Sequence, residues 1–286
     1  MQRRIREITP SRATIEGVGV RLHRAIGFGP PEQYDPFLLL DDFRSDAPDD
    51  YVAGFPWHPH RGIETITYVL RGSVEHRDTL GNRGVIGPGD VQWMTAGSGV
   101  IHQEMPSGDA EGAMYGFQLW ANLPHSHKMM PPRYRGVRAS SVPQVRAAGR
   151  ALVRVIAGTV DGVAGPVRDI VTAPQYLDVT LPPEATFIRP IPPGHTVLMF
   201  AIEGHGAAGG RTIRDGELGW FGDGDDIAVS AGAGPFRFLL IAGQPIREPI
   251  AWAGPIVMNT QDELQRAFDE LDEGTFIKDH DLVTMP

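Results

Sequence analysis

Two short stretches carry residue types that can hold a metal ion: His58-Pro59-His60 and His102-Gln103-Glu104. In each, the chemistry-bearing residues are two apart. Successive side chains of an extended strand point to opposite faces, so residues at that spacing face the same way. Two such strands laid side by side aim three imidazoles and one carboxylate at a common point. Nitrogen and oxygen donors without thiolate suit a borderline divalent ion such as iron, nickel, manganese, copper, zinc or cobalt. His58, His60, His102 and Glu104 are therefore the expected ligands of one ion.

The neighbouring residues agree with that reading. Pro59 removes a ladder donor, which fits a strand start or an edge at a barrel mouth. Gly97 and Gly99, just before His102, would let the backbone approach a bound ligand. Glu64 lies four residues after His60 and by alternation also faces inward, so it is a competitor for the carboxylate position or a support for it. Phe43, Phe55, Trp57 and Gln118 are candidates for the wall of a substrate pocket. Glu64 is kept with them. His76 could point into the same barrel, although a core or rim histidine is the simpler expectation. His125-Ser126-His127 repeats the spacing but stands between Pro124 and Pro131-Pro132, where a solvated loop is expected. His23, His195, His205 and His280 are isolated, with surface or structural roles as the default. The sequence holds no Gly-rich phosphate loop, Gly-x-Ser-x-Gly elbow or His-Glu-x-x-His motif.

The elements that must position these residues read as strands. Glu64-Thr65-Ile66-Thr67-Tyr68-Val69-Leu70 is rich in β-branched and aromatic residues and stops at Arg71-Gly72. Further runs follow at Ser73–Asp78, 91–94, 100–102 and 114–121, and an earlier apolar run spans 35–43. Turns at Leu80-Gly81-Asn82, Gly87-Pro88-Gly89-Asp90 and Gly97-Ser98-Gly99 recur at about 8–12 residues, the rhythm of a sandwich or barrel. Residues 123 to about 150 read as a proline-rich connector, after which strand patterns resume. The two halves look like copies. The strand from Thr65 to Leu70 has its counterpart at 196–202, and Gly87-Pro88-Gly89-Asp90 at Gly222-Asp223-Gly224-Asp225. On these anchors Pro190, Pro192, Arg237 and Leu239 fall where the first half has its metal ligands, so the second copy cannot bind metal in the same way. Near the end, Thr260-Gln261-Asp262-Glu263 forms a capping-box pattern, and Leu264, Ala267, Phe268 and Leu271 recur at helical spacing before Gly274. This predicts one amphipathic helix at about 261–272, packed on a barrel.

Composition sets the bounds. A chain of 286 residues suggests two domains. Thirty-five glycines and 25 prolines suit many short strands joined by tight turns. The absence of cysteine excludes disulfides, Cys-zinc sites and thiol catalysis. A formal charge of −9 argues against direct nucleic-acid binding, which draws its affinity from Lys and Arg on phosphates. No apolar run follows Arg3-Arg4, and none reaches the ~20 residues of a membrane helix. A cytoplasmic protein, and a monomer, is expected.

The stretches from His58 to Thr65, Pro88 to Gly97 and His102 to Pro106 resemble the pirin family, as do Asp35 to Asp41 and Met258-Asn259-Thr260. The resemblance covers nearly the whole chain. Pirins are bicupins, so it implies an all-β chain of two tandem cupin (jelly-roll-type) barrels with a short C-terminal helix. The expected division is 1–133, metal-binding, and 134–286, lacking the ligands and carrying the helix. It also implies Fe(II), held by His58, His60, His102 and Glu104. Thr95 replaces the usual cupin proline, as in pirins, which limits inference from other cupin enzymes. The family includes quercetin 2,3-dioxygenases, so the implied activity opens the heterocycle of a flavonol such as quercetin with O2 and releases CO, with Glu104 as the base. The family also includes transcriptional co-regulators. The alternative is a non-enzymatic, redox-sensitive metal protein that binds a transcription factor or metabolic enzyme. A different enolisable aromatic substrate is a third option.

Overall fold

Runs of β-branched and aromatic residues cut by Gly and Pro fold here as strands throughout. The structure, a computed structural model, describes residues 1–278, so His280 lies outside the described residues. Two compact units form: residues 1–12 with 140–245, and residues 13–139 with 246–278.

These units differ from the expected cut at 133/134, and hydrogen bonding explains why. The first strand, Ile5–Pro10, is an edge whose backbone groups find antiparallel partners in Glu217–Phe221. Arg3, buried, is fixed to the same unit by donating to the carbonyls of Pro192, His195, Gly222 and Gly224. At the other end, the helix Gln261–Asp272 buries Leu264 and Ala267 against the hairpin Ala251–Ala253/Ile256–Met258. It belongs to the unit that carries His58, and the sequence expectation had placed it in the other. Its start is the predicted capping box: the Thr260 hydroxyl accepts from the Glu263 N–H at 3.2 Å, and the Glu263 carboxylate accepts from the Thr260 N–H at 3.0 Å.

The expected connector is also more ordered than its prolines suggest. It holds a short helix, His125–Lys128, and a strand, Arg133–Val137, that extends a sheet by pairing with Val91–Thr95. A further strand, Gln144–Arg146, pairs with Leu152–Ala157. The prolines stand outside the paired registers, so no ladder bond is lost to them.

Among the described residues, the His58-bearing unit has a four-stranded sheet ordered Phe55–His60, Val100–Ser107, Ser73–Asp78, Arg83–Ile86. It also has a seven-stranded sheet that includes Val91–Thr95, Ile63–Arg71, Tyr115–Asn122, Phe37–Asp42 and Val20–Ile26 in that order. The other unit is filled by an apolar cluster including Val153, Leu177, Phe187, Met199, Phe236 and Phe238. Arg237 there forms a bidentate pair with Asp178 at 2.9 and 2.7 Å, and Leu239 is buried.

Candidate metal centre

Strand register assembles the site. Val100–Ser107 lies between Phe55–His60 and Ser73–Asp78. His102 stands opposite His58 on one side and Asp78 on the other, while Glu104 stands opposite His76. Directly opposed residues share a face. Three strands with two-residue spacing therefore present His58, His60, His102, Glu104, His76 and Asp78 to one interior. A register shift follows His102, so Glu104 pairs with Phe55. That bulge changes where Glu104 aims relative to the histidine pair.

The three predicted histidines come together. Ring centroids are 4.9 Å apart for His58–His60, 4.4 Å for His58–His102 and 4.9 Å for His60–His102. A candidate ligand atom from each lies within 4.8 Å of the others. His58 Nδ1 donates to the Pro56 carbonyl at 2.8 Å and His60 Nδ1 to the Pro255 carbonyl at 3.1 Å. A carbonyl only accepts, so each Nδ1 carries a proton, and Nε2 is the nitrogen each ring has left to offer an ion. His102 Nε2 is buried with no hydrogen-bond partner. Burial, then neighbouring histidines, hold His60 and His102 well below the ordinary histidine range, so both rings are neutral at pH 7. An orphaned buried nitrogen beside two oriented imidazoles fits a divalent cation.

Glu104 falls in a second trio, with His76 and His102, again within 4.8 Å. The Thr67 hydroxyl lies 2.8 Å from Glu104 Oε1, and Gln118 Nε2 lies 3.4 Å from Oε2. Four residues predicted from spacing thus become a tight histidine trio with the carboxylate attached through His102.

Three expectations are corrected. Glu64 does not face this interior; its carboxylate accepts from the Thr95 hydroxyl at 2.7 Å, and burial pushes its pKa up. Alternation from His60 fails because the chain reverses at Gly62, at φ +77°, between Phe55–His60 of one sheet and Ile63–Arg71 of the other. A Cβ on Gly62 would sit 2.0 Å from the Val257 carbonyl. Gly97 and Gly99 likewise make room for chain, not ligand: added Cβ atoms would meet Met130 O at 2.2 Å and Phe276 at 2.9 Å. His125 and His127 lie on the short helix, bonded to Glu263 and Ser126, and not in a loop.

His58, His60 and Glu104 line a cavity of about 700 Å3, and Phe43, Phe55, Trp57 and Gln118 line it as expected. Trp120, Trp252 and Pro255 line it too. The last two come from the C-terminal segment, almost 200 positions from His58, and nothing local in the sequence points to them. Trp57 is 52% exposed.

An all-β chain whose described residues cluster histidines in the first barrel, with the second barrel packed by apolar side chains, defines a bicupin with one candidate metal centre. Comparison with known proteins narrows the class. Residues 19–121 match the family model described as Pirin, and 176–277 the one described as Pirin C-terminal cupin domain. A Pseudomonas aeruginosa protein named "Putative quercetin 2,3-dioxygenase" is 44% identical over 95% of this chain and 97% of its own. Human pirin is 41% identical over 90% and 88%. A solved quercetin 2,3-dioxygenase of Acinetobacter baumannii superposes with TM-score 0.88 at 30% identity, over 96% of this chain and 99% of that one. The chain belongs to the pirin family. None of its described helices is long and apolar enough to cross a membrane.

Proposed function

We infer that the chain is a metal-dependent dioxygenase that opens the heterocycle of a flavonol such as quercetin with O2 and releases CO. The observation that carries this is the convergence of His58, His60 and His102 on an orphaned, buried Nε2 beside a 700 Å3 aromatic-walled cavity. Cavities of ~300–1,000 Å3 with apolar walls and few polar groups are the ordinary form of a small-molecule site. The relatives' names support the substrate class.

His58, His60, His102 and Glu104 would hold the ion, with Fe(II) the favoured identity. Bound there, a divalent ion supplies a Lewis acid that acidifies the flavonol 3-hydroxyl and orients it toward O2. Glu104 takes the hydroxyl proton, and Thr67 and Gln118 hold its carboxylate in place for that transfer. Trp57, Trp120 and Trp252 offer apolar faces to a planar ring system and limit water around it.

The test loads the protein separately with each candidate metal and follows the loss of quercetin absorbance in air. Turnover with at least one metal is expected. Glu104→Gln should lower kcat by about a hundredfold or more. No turnover with any metal, or a fully active Glu104→Gln, overturns the dioxygenase reading. The first outcome, with metal still bound, leaves a metal-binding regulator.

A further inference from the structure

His76 and Asp78 belong to no step above, yet both are sealed in the interior, with side chains 0% exposed. They sit two apart on Ser73–Asp78, opposite Glu104 and His102. His76 Nε2 lies 3.3 Å from Asp78 Oδ2. A carboxylate oxygen accepts, so that nitrogen carries the ring proton and His76 Nδ1 is a bare lone pair. Two groups point at it: Gln92 Nε2 at 3.1 Å and His102 Nδ1 at 3.4 Å. His102 must then donate from Nδ1, which strips the proton from its Nε2, the nitrogen that has no partner.

The chain is held rigidly. Asp78 Oδ1 accepts from the backbone N–H of Leu80 and Asn82, both at 2.9 Å. The His76 ring stacks on Tyr134, centroids 5.0 Å apart at 29°. Neither end can rotate without breaking these contacts.

We propose that Asp78 and His76 form a positioning relay that sets the tautomer and ring direction of His102, so that its Nε2 presents a lone pair to the ion. Partners of this kind raise ligand basicity and fix orientation, and losing one costs ~10–100-fold in metal affinity. The proposal rests on the metal reading but not on the substrate.

Co(II) affinity, measured by chelator competition, tests it alongside X-ray absorption of the Co(II) proteins and the thermal midpoint of the metal-free ones. His76→Phe keeps a ring against Tyr134 and removes the acceptor; about 10–100-fold weaker binding is expected. His76→Gln returns an acceptor oxygen and should recover most of that loss. Asp78→Asn keeps the turn acceptor but offers N–H to His76 Nε2, driving the proton to Nδ1, where it opposes His102. Weaker binding with unchanged ligand number and a near-parental midpoint is expected there. This variant decides the matter if His76→Phe does not fold. Parental affinity in both His76→Phe and Asp78→Asn overturns the relay. Loss of a nitrogen ligand in the His76 variants also overturns it, since His76 would then bind the ion itself. A parent protein that takes up no Co(II) overturns the metal reading directly, a result distinct from the other two.

Discussion

Each imidazole of the trio is turned by a different partner: a carbonyl two residues away for His58, a carbonyl 195 residues away for His60, and another imidazole for His102. Spacing alone made the three histidines legible, because strand geometry converts a two-residue interval into a shared face. Glu64 was misread for the same reason turned round: alternation holds only while the strand continues, and it stops at Gly62. Asp78 was hidden, and His76 readable only as a core or rim histidine, because inward polar residues erase the hydrophobic alternation by which a strand's buried face is found. The buried cation Lys128 is equally invisible from sequence. Lys128 is 1% exposed and donates from Nζ to Gly62 O at 2.9 Å, Asn122 Oδ1 at 2.7 Å and Val257 O at 3.0 Å. Burial lowers its pKa to about 7. Between pH 7 and the unfolded value near 10.4, the unfolded chain binds the proton that the folded one has released, so stability rises with pH across that window. Lys128→Met removes this slope, read as thermal midpoints from pH 7 to 10. It also orphans three acceptors, a loss of about 3 kcal/mol or more at about 1–3 kcal/mol each.

At the scale of elements, the C-terminal helix fastens to the strand that ends in His60. Arg61, 2% exposed, donates to Ser98 O, Glu270 and Phe276 O, all at 2.7 Å, and lies 4.1 Å over the Phe276 ring. The helix itself was readable to the residue from its capping box and apolar spacing. Its destination was not, because a helix pattern says which face is buried but not against what. Arg61→Met leaves the Ser98 and Phe276 carbonyls without their donor and Glu270 with Lys278 alone, and about 2 kcal/mol or more of stability should be lost on chemical denaturation. Co(II) affinity should fall with it, since the preceding residue, His60, is a proposed ligand. Thr260→Ala breaks only the cap, costs about 1 kcal/mol and leaves Co(II) affinity unchanged. Equal effects of the two variants on metal binding would show that the helix matters only through overall stability.

Across the described residues, the two units exchange their ends: the first twelve residues fold with 140–245, and 246–278 with 13–139. Internal similarity made the twofold repeat visible in sequence, but a repeat suggests contiguous halves, and edge-strand pairing overrides it. A chain stopped at Ala139 keeps every predicted ligand yet lacks the Pro255 carbonyl, the hairpin and the helix. It should give collapsed amide dispersion by NMR and no tight Co(II) site. Joining 13–139 to 246–278 through a flexible Gly/Ser linker should restore both.

The Pro255 carbonyl on His60 also imposes an order in time. Synthesis runs from the N-terminus, so His58, His60 and His102 leave the ribosome long before the segment that steadies His60 and supplies Trp252. The nascent protein carries its imidazoles for most of translation without a finished receptacle, and cation capture becomes a late event of biogenesis.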